Sequence, residues 1–100
     1  MRVITEINIH CAAVRPNWMQ DKTLKEKVAE ITRWHVERGF STIAYHFIVD
    51  RDGTVMRGRK AEMVGAFEPK VNAHAIGICL IGGFGSNAND EFDKNYTPDQ

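Results

Sequence analysis

The order of structural signals along this sequence predicts an α/β domain with a central mixed β-sheet flanked by helices. Three observations lead to this prediction. An alternating segment stands near the N-terminus, a capped amphipathic helix follows it, and two apolar, β-rich segments come after the helix. Strands separated by a helical crossover tend to lie parallel in one sheet, so a single domain over residues 1–100 is expected.

The first predicted strand covers residues 3–10, VITEINIH, where apolar and polar side chains alternate. This period of two predicts one apolar face. The strand ends at His10, and Cys11 should point to the opposite side, so a metal site shared by these two residues is not expected. Trp18, in the following loop, is either an aromatic that stacks on a sugar ring or a cover over the core.

A helix is predicted from Leu24 to a C-cap at Gly39. Thr23 and Glu26 have the spacing of a capping box at its start. Apolar residues then recur at helical spacing, and His35 lies on the same side. A histidine on an apolar helix face is expected to be a hydrogen-bonded core residue.

A β-hairpin is predicted next, with strands at 44–50 and 54–59 joined by the turn RDG. Tyr45 and His46 fall early in its first strand and should face opposite ways. Tyr45 has two interpretations: a packing aromatic with its hydroxyl at the edge, or a hydroxyl that donates to an oxyanion.

After a long irregular loop, the run AIGICLIGG at 75–83 predicts a strand that is covered on both faces. His74, just before it, has no role that the sequence alone assigns. A polar loop follows. The last residues, YTPDQ, have the N-cap and first-turn pattern of a helix that begins at Thr97.

Composition excludes several classes of function. Lys plus Arg and Asp plus Glu number 13 each, so no net field attracts nucleic acid or an anionic membrane. No apolar stretch approaches the length of a bilayer span, and the N-terminus lacks a signal-peptide pattern. The two cysteines, Cys11 and Cys79, indicate synthesis in a reducing compartment, the cytoplasm; a single bridge between them is left open.

His10 is the residue on which a site could be centred, because ligands of α/β sheets bind at the carboxyl ends of strands. From position alone it could be a metal ligand, a base or a satisfied polar residue. One histidine does not make a metal site.

Five stretches together point further: IHCAA (9–13), RWH (33–35), RGFSTIAYHFIVDRDGTVMRGR (38–59), GAF…N (65–72) and IGICLIGG (76–83). They resemble the zinc-dependent N-acetylmuramoyl-L-alanine amidases, the superfamily of short phage lysozyme-amidases and animal peptidoglycan recognition proteins. Endolysins of phages, which lack a signal peptide, are the most similar branch. The resemblance implies the fold predicted above. It also implies cleavage of the amide between the lactyl group of N-acetylmuramic acid and L-alanine, by a water that zinc activates.

Carried over by position, the resemblance implies that His10 is the first zinc ligand and Tyr45 the catalytic tyrosine. Asn72 matches an asparagine that borders the substrate groove, and Trp18 and His74 are further candidates for substrate binding. Phe67 stands where the family often has a histidine.

The family's remaining ligands, a His and a Cys, follow a helix that opens with a motif like TPDQ. They are therefore expected beyond Gln100, in a domain that is incomplete at its C-terminus and lacks its last helix. Alone, this chain should bind zinc weakly or not at all, unless His74 or a second chain joins His10. The sheet face left uncovered should promote self-association.

Two functions stay open from the sequence. One is a peptidoglycan hydrolase that acts on the cell wall, and the other is a module that binds peptidoglycan or muropeptide without cleaving it. A regulatory role through polymerase binding, found in some phage lysozymes, has no specific support in these residues.

Overall fold

The computed structural model describes residues 2–87 and 89–100 as a four-stranded sheet carrying one long helix. In chain order the elements are β1 (Glu6–Cys11), α1 (Leu24–Glu37), β2 (Phe47–Val49), β3 (Val55–Arg57), a 3₁₀ turn (Asn72–His74), β4 (Ala75–Leu80) and α2 (Phe92–Asn95). The strand order is β1-β4-β2-β3. β4 is parallel to both neighbours, and β2 and β3 form an antiparallel hairpin. The predicted mixed α/β sheet is confirmed.

α1 begins and ends where its capping residues predict. The Thr23 hydroxyl accepts the backbone N–H of Glu26 at 3.2 Å, and Gly39 follows the helix with a φ of +99°. The helix buries one side, formed by Leu24, Lys27, Val28, Ile31 and His35. This side packs on a core with members from the sheet and its loops, namely Val14, Ile43, Ile48, Cys79 and Ile81.

The sheet has two unlike faces. The covered face lies under α1 and carries Ile48 and Cys79, both fully buried, with His10 beside Cys79 in the strand register. Alternate residues point the other way and form the open face, which consists of Ile7, Ile9, Phe47, Val49, Val55, Ile76, Ile78 and Leu80. Ile7 and Ile9 are 67% and 65% exposed, so the apolar side of β1 is the side that α1 does not cover.

The prediction about β4 is wrong, whereas the hydrogen bonds at Thr97 agree with the predicted capping pattern. β4 is not covered on both faces, since Ile76 and Ile78 on the open face are only half-buried. An apolar run shows which residues a strand contains, but it does not show whether other elements pack against both faces of that strand. Residues 98–99 form a turn, in which the Gln100 N–H donates to the Thr97 carbonyl at 3.1 Å and the Gln100 side-chain oxygen accepts the Thr97 N–H at 3.0 Å, as in the capped first turn predicted there. The Thr97 hydroxyl donates to the carbonyl of Arg51.

α2 was missed, because its residues were assigned to a polar loop. A helix of four residues is too short for periodicity to reveal, and a distant segment supports it: the Arg51 guanidinium donates to the carbonyl of Asn95 at 2.8 Å. Among the described residues, no helix combines the length and apolar character needed to cross a membrane.

Two buried cations fasten loops and helix to the sheet. The Lys27 ammonium lies 2.8 and 3.0 Å from the two carboxylate oxygens of Asp50, and both side chains are almost fully buried. The Arg59 guanidinium donates to three backbone carbonyls, those of Thr42, Ile43 and Val64. Each charge is therefore paired or hydrogen-bonded, as burial requires.

Candidate functional site

His10 lies at the carboxyl end of β1 on the covered face. The centroid of its ring is 5.8 Å from that of Tyr45 and 5.5 Å from that of Phe67. Its Nε2 atom is buried and has no hydrogen-bond partner within the described residues. Buried polar atoms are nearly always satisfied, so an unpaired one in a ring cluster indicates a position where a ligand binds. Of the three interpretations of His10, a satisfied polar residue fits least.

Tyr45 supplies a hydroxyl beside this imidazole. Burial, together with the neighbouring thiols of Cys79 and Cys11, raises the pKa of the Tyr45 phenol well above its usual value of about 10. The hydroxyl therefore stays protonated at neutral pH and keeps a proton that it can donate in a hydrogen bond. Tyr45 lies two residues before Phe47, where β2 begins, so strand alternation does not fix the direction of the Tyr45 side chain.

His35 and His46 are structural residues. Nδ1 of His35 accepts the backbone N–H of Ala44 at 2.9 Å, and Nδ1 of His46 accepts that of Gly77 at 2.9 Å. A backbone N–H needs an acceptor, so both Nδ1 atoms are unprotonated and both rings are neutral. Burial is the main cause that lowers the pKa of each ring. The prediction that His35 is a hydrogen-bonded core residue is confirmed.

The rings form one continuous row across the covered face. Successive centroids lie 5.5 to 5.8 Å apart in the order His46, Phe67, His10, Tyr45, His35. His10 is the middle member of this ring row. Its two outer members are the histidines that backbone N–H groups hold in place.

Asn72 organises the loop that carries Phe67. Its side-chain oxygen accepts the backbone N–H groups of Phe67 at 3.2 Å and of Glu68 at 2.8 Å. This amide oxygen is thus engaged within the loop. Substrate binding by Asn72 stays a prediction, and its contacts here hold the loop in shape.

Trp18 packs against the Trp34 ring of α1 at a centroid distance of 5.4 Å and covers the core cluster. This contact favours the cover interpretation. A role in sugar stacking stays a prediction that these contacts do not test.

His74 is far from His10. It directly precedes Ala75, which pairs with Glu6, whereas His10 pairs with Cys79 near the other end of β4. Five residues of strand separate the two positions by roughly 16 Å. The expectation that His74 could join His10 at one metal is therefore wrong, because the parallel register places them at opposite ends of the sheet.

Both cysteines are free thiols. Cys11 pairs with Leu80 and Cys79 pairs with His10, so the two side chains lie on opposite faces of the sheet. The bridge that the sequence left open is not formed. His10 and Cys11 likewise point to opposite faces, as predicted.

A cavity of about 210 Å³ adjoins the Tyr45 side of the ring row, lined by Cys11, Ala12, Ala13, Ile31, Trp34, His35, Arg38 and Tyr45. A larger cavity of about 700 Å³ lies along the open face and reaches the end of β1. Its lining includes Ile9, Ile78 and Leu80 and also His10, which does not line the smaller cavity. The chemistry-bearing rings meet on the covered face, so we assign the candidate site to that side.

The described residues do not make up a complete zinc site. Residues 2–87 and 89–100 contain no group of three or more His, Cys, Asp or Glu side chains that could hold a metal ion. Three protein ligands are the usual minimum for catalytic zinc. The unpaired Nε2 of His10 suits a single ligand, and no second one stands beside it within this part of the chain.

A mixed α/β sheet with a histidine at a strand end and a tyrosine beside it is the arrangement that the resemblance to the zinc amidases implies. The chain belongs to the N-acetylmuramoyl-L-alanine amidase family, whose model matches residues 1–100. Members of this family generally depend on zinc.

Phage endolysins are among the relatives that match this chain along nearly its whole length. The endolysin of Enterobacteria phage T3 is 41% identical over 100 residues, which cover 99% of this chain and 61% of that protein. The endolysin of Escherichia phage T7 is 40% identical over 94 residues, covering 94% and 57%. The chain thus spans about three-fifths of the length of these relatives.

Solved structures show the same fold. The endolysin amidase LysCS from Clostridium intestinale URNW has a TM-score of 0.73 and 33% identity, and the match covers 99% of this chain and 55% of that one. The predicted family and fold are therefore confirmed.

Sequence reasoning missed the Lys27–Asp50 pair and the place of Phe67. A signal for the first existed, since Lys27 falls on the helix side of Leu24 and Ile31 and was bound to be buried. No local signal could have placed Phe67, because its contacts with His10 and His46 join segments far apart in sequence.

Proposed function

We propose that this domain serves an N-acetylmuramoyl-L-alanine amidase, which hydrolyses the amide between the lactyl group of N-acetylmuramic acid and L-alanine in peptidoglycan. The observation that carries the proposal is the buried, unpaired Nε2 of His10 beside the Tyr45 ring, in a chain of this family. The phage relatives support synthesis in the cytoplasm and action on the cell wall.

His10 is the proposed first ligand of zinc through Nε2. The other two ligands, a His and a Cys, would come from sequence outside residues 1–100. When bound, zinc would lower the pKa of a water molecule and polarise the amide carbonyl.

Tyr45 is the proposed oxyanion donor. Its hydroxyl is neutral because burial raises its pKa, so it can donate to the carbonyl oxygen as negative charge develops there. The adjoining cavity of about 210 Å³ would receive the peptide next to the cleaved bond. Asn72, Trp18 and His74 stay candidates for contacts with the glycan or peptide.

Cleavage is tested by counting new L-alanine amino termini on purified peptidoglycan with added zinc. In a chain that supplies the two further ligands, His10→Ala should abolish cleavage. Tyr45→Phe should lower kcat by about 10² to 10³, the usual effect of removing one oxyanion donor. Glu37→Ala, on the exposed outer side of α1, serves as the control and should keep full activity.

The 100-residue chain by itself gives a second test. We expect it to sediment with insoluble peptidoglycan without cleaving it, because three or more ligands are not assembled within the described residues. One tightly held zinc per chain would contradict this ligand count. A chain that neither binds nor cleaves peptidoglycan would overturn the proposal, whereas binding without cleavage in every context would favour the recognition-module alternative.

A further inference from the structure

We propose that Phe67 is a positioning residue that packs on the His10 imidazole and fixes its orientation. The two rings meet edge to face, with centroids 5.5 Å apart at an interplanar angle of 61°. This inference depends on the proposed function in one respect, namely that His10 is a metal ligand.

Packing must orient His10, because neither of its ring nitrogens takes part in a hydrogen bond to another described residue, Nε2 being buried and unpaired. A metal-binding histidine is usually held by a hydrogen bond from its other ring nitrogen to a carboxylate or carbonyl, which sets the direction of the ligating atom. Here the contacts with Phe67 and Tyr45 take over that task. A ring held on flat aromatic surfaces has few alternative rotamers.

Phe67 is itself held in a close seat made by two glycines. A Cβ built on Gly77 would lie 2.5 Å from the Cδ1 and Cε1 atoms of the Phe67 ring, and one on Gly65 would lie 2.1 Å from Cε1. Only glycine leaves room for the ring at either position. The seat is therefore specific to a side chain that lies flat on β4 at this point.

Hydrogen bonds also hold the backbone of Phe67 in place. Its N–H donates to the Asn72 side-chain oxygen, and the Asn72 carbonyl accepts from Arg2 at 3.1 Å. Arg2 donates in addition to the carbonyl of Ala61 at 3.0 Å. The chain of contacts from Arg2 through Asn72 and Phe67 to His10 joins the loop to the site.

Chemical modification of histidines tests the role directly. Diethyl pyrocarbonate acylates accessible imidazole nitrogens, and mass spectrometry after proteolysis gives the rate at each histidine. In the wild-type chain His10 should react more slowly than exposed His74. Phe67→Ala should raise the His10 rate by about tenfold, the effect of removing roughly 1.4 kcal/mol from the cost of local opening. Phe67→Leu, which keeps much of the volume, should give a smaller increase.

Two controls separate positioning from general destabilisation. Phe84→Ala removes an exposed phenyl ring that lies under the Arg15 guanidinium and is not a member of the row, so it should leave the His10 rate unchanged. His35, at the far end of the row and without contact to Phe67, should keep its rate in every variant. A Phe67→Ala chain in which His35 and His10 accelerate together would indicate unfolding and overturn the proposal.

A measurement on the wild-type chain needs no variant. NOEs between the ring protons of His10 and Phe67, with a single set of His10 ring resonances, are expected of a fixed imidazole. Absence of these NOEs, or a wild-type His10 that reacts as fast as His74, would refute the positioning role. Neither readout depends on peptidoglycan, so failure of the amidase proposal would leave these results interpretable.

Discussion

The two faces of one sheet differ sharply, because the strands place most of their large apolar residues on the open face while α1 covers the other. On the covered face Ile48 is fully buried under α1, and on the open face Ile9 is 65% exposed. The covered face also holds every member of the ring row, together with two buried cations. Burial there creates the conditions for chemistry: a phenol with a raised pKa and an imidazole nitrogen without a partner. The covered face of the sheet therefore holds both the core contacts and the candidate site, whereas the open face presents mainly apolar surface.

Breaking the Lys27–Asp50 pair should have the largest effect, because it fastens α1 to the covered face. Asp50→Ala leaves the Lys27 ammonium buried without a partner, and we expect a loss of about 3–5 kcal/mol in the free energy of unfolding. Urea denaturation measures it. Glu37→Ala breaks an exposed ion pair with Arg33 on the outer side of α1 and should leave the midpoint nearly unchanged. Equal effects of the two substitutions would contradict the burial of the first pair.

One substitution made on each face tests the comparison itself. Ile48→Ala on the covered face should cost about 2–5 kcal/mol, since it removes buried methyl groups and leaves a cavity. Ile9→Ala on the open face should cost less than about 1 kcal/mol, because most of that side chain is already in water. The measurement is again the urea midpoint at constant m-value. A large loss at Ile9 would show that something covers the open face in solution.

Acid should weaken the covered face through His35 and His46. Burial lowers the pKa of both rings in the folded chain below the unfolded value of about 6.5. Their contribution to stability is therefore complete above pH 6.5 and is lost as the pH falls through the folded values. Each ring can lower the free energy of unfolding by at most about 1.4 kcal/mol for every unit by which the pH falls.

Stability profiles between pH 7.5 and pH 5, a window of about 2.5 units around the unfolded value, measure this effect. His46→Gln should flatten the decline, and His74→Gln, at an exposed position, should not. A wild-type profile that is level or rises toward acid would be inconsistent with neutral rings that accept from backbone N–H groups.

Self-association through the open face is the smallest effect that we expect, and it should depend on concentration. We propose that two chains meet across the exposed isoleucines of β1, as the extent of apolar surface suggests. Sedimentation velocity should show a larger species at high concentration, and Ile9→Lys should remove it. Val36→Lys, at a half-exposed position on α1, is the matched control and should associate like the wild type. A monomer at every concentration would rule the contact out.

Local sequence signals predicted much of the fold. The capping box at Thr23, the glycine after α1 and the RDG turn each act within a few residues, so the sequence alone located α1 and the hairpin. His10 and Tyr45 were found because family motifs mark them. The covered and open faces could not be told apart, since alternation shows that β1 has an apolar side but not which side α1 will cover. The contact of the Phe67 ring with Gly77 could not be predicted either, because it joins segments that are distant in sequence.

Arg59 gives the covered face an anchor that acid does not affect. A guanidinium stays charged across the whole physiological range, so its bonds to the carbonyls of Thr42, Ile43 and Val64 persist when the two histidines take up protons. Acid would then release the outer rings of the row while these loops remain tied together. The first species to appear on acidification should be one with a loosened aromatic layer over an intact backbone frame, visible as lost near-ultraviolet dichroism before any loss of far-ultraviolet signal.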